Sequence, residues 1–301
     1  MQQPIGFIGT GNMGLPMARN LLNAGFALRV YDLNLKHVAP LVAVGAQQVN
    51  RPCEVVEPGG VVISMVPDDE ALEQVVAGED GLLNRLGQGG IHLSMSTVSP
   101  ALARRLARLY ARQGSHYVTA TVFGRPDVAA AGQLAIFLSG NPSAKERVWP
   151  LLQVLGKQLF DFGEEVQSAN VVKLAANFLI ASALEAMAEA AALVEKYDID
   201  RVAFLDMIGQ TLFHCPVYTG YGAMIAQHRY TPALFRVPLG LKDLRLCLET
   251  ANREQVPLPL AHLVHDRLEV TLNKGREDLD WSALALSVAE DAGLEERSLA
   301  L

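Results

Sequence analysis

The chain has 301 residues, of which 50% are hydrophobic and 19% are charged, and its formal net charge is −7. The length favours two domains, and the composition is that of a globular protein rather than a disordered or fibrous one. The acidic balance argues against nucleic-acid binding, which needs a basic surface to neutralise phosphates.

The cysteine content and the apolar segments bear on where the protein works. Cys53, Cys215 and Cys247 are odd in number and far apart, so they fit neither a disulfide framework nor a zinc pattern. The N-terminus lacks a basic region before its apolar run, which argues against a secretory signal. The longest charge-free apolar stretch of the second half, residues 174–184, is too short to cross a bilayer. We therefore expect a cytoplasmic protein without membrane contact.

The first half of the chain alternates short β-type runs with helical patterns. Ser99-Pro100 and Asn141-Pro142 each predict a helix start, because proline has no N–H to lose in the first turn of a helix. This alternation predicts parallel strands joined by crossover helices, a Rossmann-type doubly wound α/β sheet. The predicted strands are residues 5–9, 27–31, 61–66, 91–94, 116–118 and 134–138.

After Gly163 the pattern changes. Residues 164–196 contain neither proline nor glycine and are rich in alanine, leucine and glutamate, which predicts one long helix. We therefore predict a first domain over residues 1–163 and an all-helical second domain over 164–301, joined by the long helix. Further helical patterns cover residues 201–210, 240–253, 260–274 and 281–292.

The segment Gly9-Thr10-Gly11-Asn12-Met13-Gly14 matches G-x-G-x-x-G between a predicted strand and a predicted helix. Gly9 suits the tight turn, Gly11 lets a pyrophosphate approach the backbone, and Gly14 lets the helix pack closely on the strand. The helix N-terminus offers N–H groups and a positive dipole end to phosphates. A structural glycine-rich turn is the alternative, but the strand and helix context predicts that the first domain binds a dinucleotide.

Asp32 closes the second predicted strand, where a carboxylate binds the ribose hydroxyls of the adenosine. A carboxylate there repels the 2′-phosphate of NADP, and Leu33 and Asn34 follow it rather than an arginine. We predict NAD as the cofactor, with NADP as the alternative because Lys36 is close enough in sequence to reach a phosphate.

Asn170, Lys173 and Asn177 form a polar strip in the predicted long helix, since residues at i, i+3 and i+7 share one face. One interpretation is a strip that faces a cleft; the other is a solvated strip with a snorkelling lysine. A desolvated lysine is suited to proton transfer. In a dehydrogenase it would serve as the general acid or base.

Residues 7–21 (FIGTGNMGLPMARNL) resemble the N-terminal signature of the β-hydroxyacid dehydrogenases, which include 3-hydroxyisobutyrate dehydrogenase and tartronate semialdehyde reductase. Imine reductases and 6-phosphogluconate dehydrogenases are relatives of this family. The resemblance covers nearly the whole chain, and it adds Ser64-Met65-Val66-Pro67 and Ser96-Thr97-Val98-Ser99-Pro100 as cofactor loops. With the residues derived above, the expected cofactor contacts are Gly9, Thr10, Gly11, Asn12, Met13, Gly14, Asp32, Met65, Val66, Pro67, Ser96, Thr97 and Lys242.

The resemblance also implies roles in the helical domain. Lys173 corresponds to the catalytic lysine of the family and Asn177 to its substrate-orienting asparagine. The segment from Phe235 to Lys242-Asp243-Leu244 resembles the family's Lys-Asp motif near nicotinamide and substrate, which makes Phe235 a predicted substrate contact. The helical domain is expected to bind substrate and to form a homodimer or homotetramer.

Two segments depart from the family pattern. Ala176-Asn177 replaces an Asn-Asn pair and keeps its second member. Residues 119–125 (TATVFGR) replace a loop of the type Asp-Ala-Pro-Val-Ser-Gly-Gly, which receives a substrate carboxylate. Phe123, Gly124 and Arg125 are predicted substrate contacts. Phe123 makes the wall apolar, and Arg125 would hold a carboxylate bidentately if it points inward, an outward orientation being the alternative.

These features predict an NAD(P)-dependent oxidoreductase that transfers hydride between nicotinamide and a small carbonyl or hydroxy acid, with Lys173 as general acid or base. The alternatives are C=N reduction, as in imine reductases, and a catalytically silent nucleotide-binding scaffold. No metal site is predicted, because Asp68, Asp69 and Glu70 are typical of a helix start.

Overall fold

The computed structural model of the chain describes residues 3–294. Met1, Gln2 and residues 295–301, at the outer ends of the two predicted domains, lie outside the described residues. The chain separates into two compact units at Lys173 and Leu174. The predicted boundary at residues 163 and 164 stays a prediction.

The first unit is built on one eight-stranded sheet of order β3-β2-β1-β4-β5-β6-β7-β8. Most neighbouring strands are parallel, which confirms the predicted doubly wound sheet. The strands are β1 (Ile5–Ile8), β2 (Leu28–Tyr31), β3 (Gln47–Gln48), β4 (Val61–Ser64), β5 (Ile91–Ser94), β6 (His116–Phe123), β7 (Leu134–Gly140) and β8 (Gly156–Asp161). The helices are α1 (Gly14–Asn23), α2 (Leu35–Val42), α3 (Asp69–Ala77), α4 (Pro100–Ala111), α5 (Pro126–Ala130) and α6 (Pro142–Leu155).

One pair of strands corrects the all-parallel expectation: β6 and β7 are antiparallel. Only residues 124–133 connect them, with the five-residue helix α5 in between, whereas a parallel return needs a connection of about a dozen residues or more. The chain therefore turns back beside β6. The short strand β3 and the edge strand β8 were not predicted.

The register of the central strands brings their carboxyl ends level. Ile8 at the end of β1 lies beside Tyr31 of β2 and Ser64 of β4, and Ser64 lies beside Ser94 of β5. The segments that follow these four strands therefore leave the sheet along one edge. In an open α/β sheet, this is the edge at which ligands bind.

Apolar layers cover both faces of this sheet. On one face, Phe7 and Ile63 pack with Met17 of α1 in a cluster of fully buried side chains. On the other face, Ile8 packs in a cluster that includes Leu106 of α4. The strands are buried on both faces because helices cover each side of the sheet.

The second unit is helical throughout its described residues, apart from an isolated bridge between Arg236 and Asp280. Its core surrounds the buried Trp281. Each predicted helical pattern has a corresponding helix, but the long helix begins at Ser168 rather than at residue 164, and residues 281–292 are divided into a 3₁₀ turn and a helix. The helix over Pro216–Ala226 was not predicted. The helices are α7 (Ser168–Glu195), which begins in the first unit, α8 (Arg201–Gln210), α9 (Pro216–Ala226), α10 (Val237–Arg253), α11 (Pro259–Asn273) and α12 (Leu284–Asp291).

Helix α7 has 28 residues and is long and apolar enough, by length and composition, to cross a membrane. The uninterrupted apolar stretch 174–184 covers only part of α7, so this property was not predicted. In the most apolar window of α7, 44% of the residues are buried inside the protein. Core helices of globular proteins can have the same length and composition, and the absence of membrane contact stays a prediction.

Candidate active site

The glycine loop joins β1 to α1 and has the steric constraints that the motif predicts. Gly9 has a φ of +85°, and a Cβ built on it would lie 2.2 Å from the carbonyl oxygen of Met65. A Cβ on Gly14 would lie 1.8 Å from the carbonyl oxygen of Gly9. A side chain at either position would therefore break the turn or separate helix from strand.

Gly11 differs from these two glycines, because a Cβ built on it meets nothing within 4 Å among residues 3–294. The space beside its backbone is the room that a pyrophosphate needs. Among the described side chains, none caps the N-terminus of α1 at Met13, so the first N–H groups of this helix are suited to phosphate. The loop residues therefore fit a dinucleotide. Its remaining members are the buried Thr10 and the exposed Asn12.

Asp32 directly follows β2 and is held against the glycine loop. Its carboxylate accepts hydrogen bonds from the backbone N–H of Thr10 at 2.7 Å and of Asn34 at 2.8 Å. The His37 Nδ1 lies 3.3 Å from the same carboxylate. The structure thus places Asp32 beside the loop, and it adds His37, which was not predicted.

The loops after β4 and β5 lie at the same edge of the sheet. The buried Ser96 hydroxyl accepts a hydrogen bond from the Val66 N–H at 2.8 Å, which ties the two loops together. Asp69 accepts from the Ser99 N–H at 2.8 Å, and Asp68 caps α3, as expected for helix-start acids. The predicted cofactor residues of these loops are Met65, Val66, Pro67, Ser96 and Thr97.

The polar strip of α7 is buried, so the solvated interpretation is wrong. Asn170 is 1% exposed, Lys173 is 9% exposed and Asn177 is 5% exposed. The Asn170 amide donates to the carbonyl oxygen of Val98 at 3.2 Å. The Thr121 hydroxyl of β6 donates to the Ala169 carbonyl oxygen at 3.0 Å. These bonds fix the first turns of α7 on the sheet of the first unit.

Lys173 lies over the ring of Phe123, with Nζ 4.0 Å from the ring centroid. Phe123 ends β6 and is half-buried. An ammonium over an aromatic face is attracted by the negative charge of the π face. The structure therefore brings together one predicted catalytic residue and one predicted substrate contact.

Gly124 and Arg125 follow Phe123 in the segment 119–125, which departs from the family pattern. Gly124 has a φ of +138°, and a Cβ there would lie 2.6 Å from a methyl group of Leu134. Arg125 precedes α5, its side chain is 38% exposed, and its Nε lies 3.9 Å from the Asp127 carboxylate. This exposed ion pair contributes at most about 1 kcal/mol.

In the second unit, Asn177 donates a hydrogen bond through Nδ2 to the carboxylate of Asp243. Asp243 is buried and pairs with the Lys242 ammonium at 2.9 Å. Asp243 was not predicted as a site residue, although it follows Lys242 in the motif. The predicted Phe235 packs edge to face on Trp281, at 4.9 Å between ring centroids, and its N–H donates to Asp280.

One group of side chains in the described residues has the spacing for a metal ion. His265, Asp266 and Glu269 lie on α11, and the two carboxylates are exposed. This group lies in the second unit, on a different helix from Lys173 and Lys242, and exposed groups of this kind are common without an ion.

The two units of the chain match two known family models. Residues 4–171 match the family model for the NAD-binding domain of 6-phosphogluconate dehydrogenase. Residues 168–288 match the model described as the NAD-binding part of NADP-dependent 3-hydroxyisobutyrate dehydrogenase.

Individual proteins are similar over nearly the full length. The chain is 44% identical to the uncharacterized oxidoreductase YfjR of Bacillus subtilis, over 93% of this chain and 98% of that protein. It is 32% identical to 3-hydroxyisobutyrate dehydrogenase of Pseudomonas aeruginosa, over 93% and 96% of the two chains. The structure of Mycobacterium tuberculosis 3-hydroxyisobutyrate dehydrogenase with L-serine superposes with a TM-score of 0.85 at 27% identity, covering 96% of this chain and 99% of that one.

Proposed function

Because this chain belongs to the β-hydroxyacid dehydrogenase family of NAD(P)-dependent oxidoreductases, we propose that it interconverts a small hydroxy acid and the corresponding carbonyl compound, with Lys173 as general acid or base. A bound nicotinamide dinucleotide supplies or accepts the hydride. The glycine loop and the N-terminus of α1 hold its pyrophosphate, and Asp32 holds the adenosine ribose.

The burial of Lys173 carries the proposal. A buried amine costs stability unless it is compensated, and this one is 9% exposed and lies on the helix that begins against the sheet. In reduction, its Nζ donates a proton to the carbonyl oxygen as hydride reaches the carbon. In oxidation, the neutral amine removes the proton from the hydroxyl group.

Asn177 orients the oxygen-bearing group of the substrate in this proposal. Its amide donates one N–H to the buried Asp243, which fixes the plane of the amide and leaves a second N–H for a substrate oxygen. The ammonium of Lys242 compensates the charge of Asp243. The apolar ring of Phe123 favours substrates with a small hydrocarbon group beside the reacting carbon.

We further propose NAD as the preferred cofactor, a homodimer or homotetramer assembled through the helical unit, and a cytoplasmic location. The carboxylate of Asp32 supports the cofactor preference. Exposed leucines on α7 support assembly. The free thiols of Cys53, Cys215 and Cys247 support a reducing compartment.

Turnover of a defined set of compounds tests the activity. We expect NAD-dependent oxidation of 3-hydroxyisobutyrate or L-serine, or reduction of glyoxylate or succinic semialdehyde with NADH. Turnover of a cyclic imine such as 2-methyl-1-pyrroline alone would instead establish C=N reduction. Cofactor binding without turnover of any of these compounds would favour the silent scaffold and contradict the proposal.

The substitution Lys173→Met tests the residue assignment. Methionine keeps the length and burial of the side chain but carries no proton, so we expect kcat to fall about 10²–10⁴-fold, the usual contribution of a general acid or base. The dissociation constant for NADH should stay nearly unchanged. Lys157→Met, the same change on the exposed edge strand β8, is the control and should keep full activity. Wild-type turnover in Lys173→Met would refute the assignment.

A further inference from the structure

A row of aromatic rings runs across the antiparallel pair β6 and β7 to the amine of Lys173. In the strand register, Thr121 faces Phe137 and Phe123 faces Ala135, so Phe123 and Phe137 are diagonal neighbours on one face. Their rings meet edge to face with centroids 4.9 Å apart. The Phe137 ring also lies 6.0 Å from the rings of Phe160 and Phe162. The orientation of the Phe123 ring is therefore set by the neighbouring strand.

The start of the helix that carries the amine is held independently of this ring. Besides the Thr121 bond, the Ala169 N–H donates to the Ser139 hydroxyl of β7 at 3.1 Å, and that hydroxyl donates to the carbonyl oxygen of Val166 at 2.9 Å. The backbone that carries Lys173 is thus held by hydroxyl groups of two strands. The Lys173 side chain therefore extends from a held backbone to a ring whose orientation is set by the neighbouring strand, with 4.0 Å between Nζ and the ring centroid.

The ring has a specific electrostatic effect on a buried amine. Burial disfavours the charged form of a lysine, whereas the negative face of an aromatic ring favours it, and more strongly when water is excluded. A carboxylate in the same place would hold the proton more strongly. The ion pair that follows Phe123 in the chain is that of Arg125 with Asp127. In the second unit, Asn177 of α7 contacts the pair of Asp243 with Lys242.

We propose that Phe123 is a positioning residue, which holds the protonated amine of Lys173 over its ring and so keeps the proton donor charged and oriented at the reacting carbonyl. This inference rests on the proposed function, because it concerns the same lysine. It assigns Phe123 a role in proton transfer in addition to that of an apolar wall.

The test measures the ionisation of Lys173 directly in the full-length protein. The chain has seven lysines, so a pH titration of 13Cε-lysine signals by NMR is tractable, and Lys173→Met assigns the relevant signal by its absence. Phe123→Leu removes the π face and keeps an apolar side chain, so the pKa of Lys173 should fall by about 0.5–1.5 units. Phe123→Tyr keeps the π face and should restore the wild-type value.

The pH dependence of turnover should change among the variants in the same way as the pKa of Lys173. In reduction, the protonated amine is the active form, so the alkaline limb of the pH profile of kcat/KM should move to lower pH in Phe123→Leu and return in Phe123→Tyr. Phe160→Leu, the same change at the exposed end of the ring row, should leave both measurements unchanged. Phe123→Met replaces the leucine variant if that variant does not fold.

The results separate this inference from the proposed function. An unchanged pKa of Lys173 in a folded Phe123→Leu or Phe123→Met protein would overturn the role of Phe123, whatever the substrate. Cofactor binding without turnover of any tested compound would overturn the proposed function, and wild-type turnover by Lys173→Met would overturn the catalytic assignment of Lys173. In both cases the NMR titration of the wild type and the Phe123 variants would still report on the contact between ring and amine.

Discussion

The environment of Asp32 predicts the cofactor preference at the scale of one residue. Its carboxylate is fixed by the N–H groups of Thr10 and Asn34, so it cannot easily turn away from a 2′-phosphate. We expect NADH to bind more tightly than NADPH, and Asp32→Asn to tighten NADPH binding about tenfold by removing the like charge, a change of about 1.4 kcal/mol. The asparagine oxygen still accepts from Thr10.

Fluorescence titration of the two reduced cofactors measures this preference. Lys157→Met serves as a control, because this exposed residue lies on β8, at the opposite edge of the sheet from β2 and β3. Tighter binding of NADPH than of NADH by the unaltered protein would show that Asp32 does not select the cofactor.

The sequence predicts the site where the responsible contacts are local. The glycines of the loop and Asp32 are recognisable because each is constrained by the turn, strand or helix beside it. The spacing of the polar strip predicts a common face, but whether that face is buried depends on Thr121, Ser139 and Val98, which are distant in sequence. The bond between Asn177 and Asp243 spans 66 residues, and no local pattern predicts such a pairing.

Among the helices and strands, those whose position depends on local sequence patterns are confirmed. Those whose position depends on contacts with distant parts of the chain were not predicted. Helix α8 and strand β5 lie where their own hydrophobic pattern predicts them. The direction of β7 depends instead on the length of its connection to β6, and β8 forms only because α6 returns the chain beside β7. Helix α9 begins at Pro216 and contains glycine, so its composition resembles a loop although tertiary packing makes it a helix.

Strand β5 carries the buried His92, which lies between strand β4 and helix α4. This histidine makes the stability of the sheet sensitive to acid. The Nε2 of His92 lies 2.8 Å from the Ser64 hydroxyl of β4, and Nδ1 lies 2.9 Å from the Tyr110 hydroxyl of α4. Burial lowers the pKa of His92 to about 3. The imidazole is therefore neutral in the folded protein at neutral and mildly acidic pH.

Stability should consequently fall in mild acid. The unfolded state takes up a proton at His92 below a pH of about 6.5, whereas the folded state does so only near 3, so the contribution is complete above 6.5 and is lost as the pH falls. At pH 5 the loss is about 2 kcal/mol. This loss is measured by urea unfolding of the wild type and of His92→Gln at pH 7.5 and pH 5.0. Glutamine does not titrate, and all other titratable groups are the same in the two proteins, so the difference between their losses is the contribution of His92. Equal losses in both proteins would refute the role of His92.

At the scale of the whole molecule, the helical unit presents apolar surface that its own core does not cover. Leu179 is 66% exposed and Leu193 is 63% exposed. They are 14 residues apart on α7, with the exposed Ala186 midway, and this spacing places the three side chains on nearly one face of the helix. Exposed large apolar side chains on one face of a helix are typical of interaction sites, and a second copy of the chain would bury them.

We therefore expect the wild type to have a solution mass of two or four times 32.5 kDa, measured by light scattering after size-exclusion chromatography. Replacing Leu179 and Leu193 together by glutamate should shift the protein toward the monomer, because two carboxylates would lose their hydration in the interface. Val44→Glu, a change at a half-exposed position just after α2, is the control and should leave the mass unchanged. A monomeric wild type, or an undiminished assembly in the double variant, would show that this face of α7 does not join the subunits.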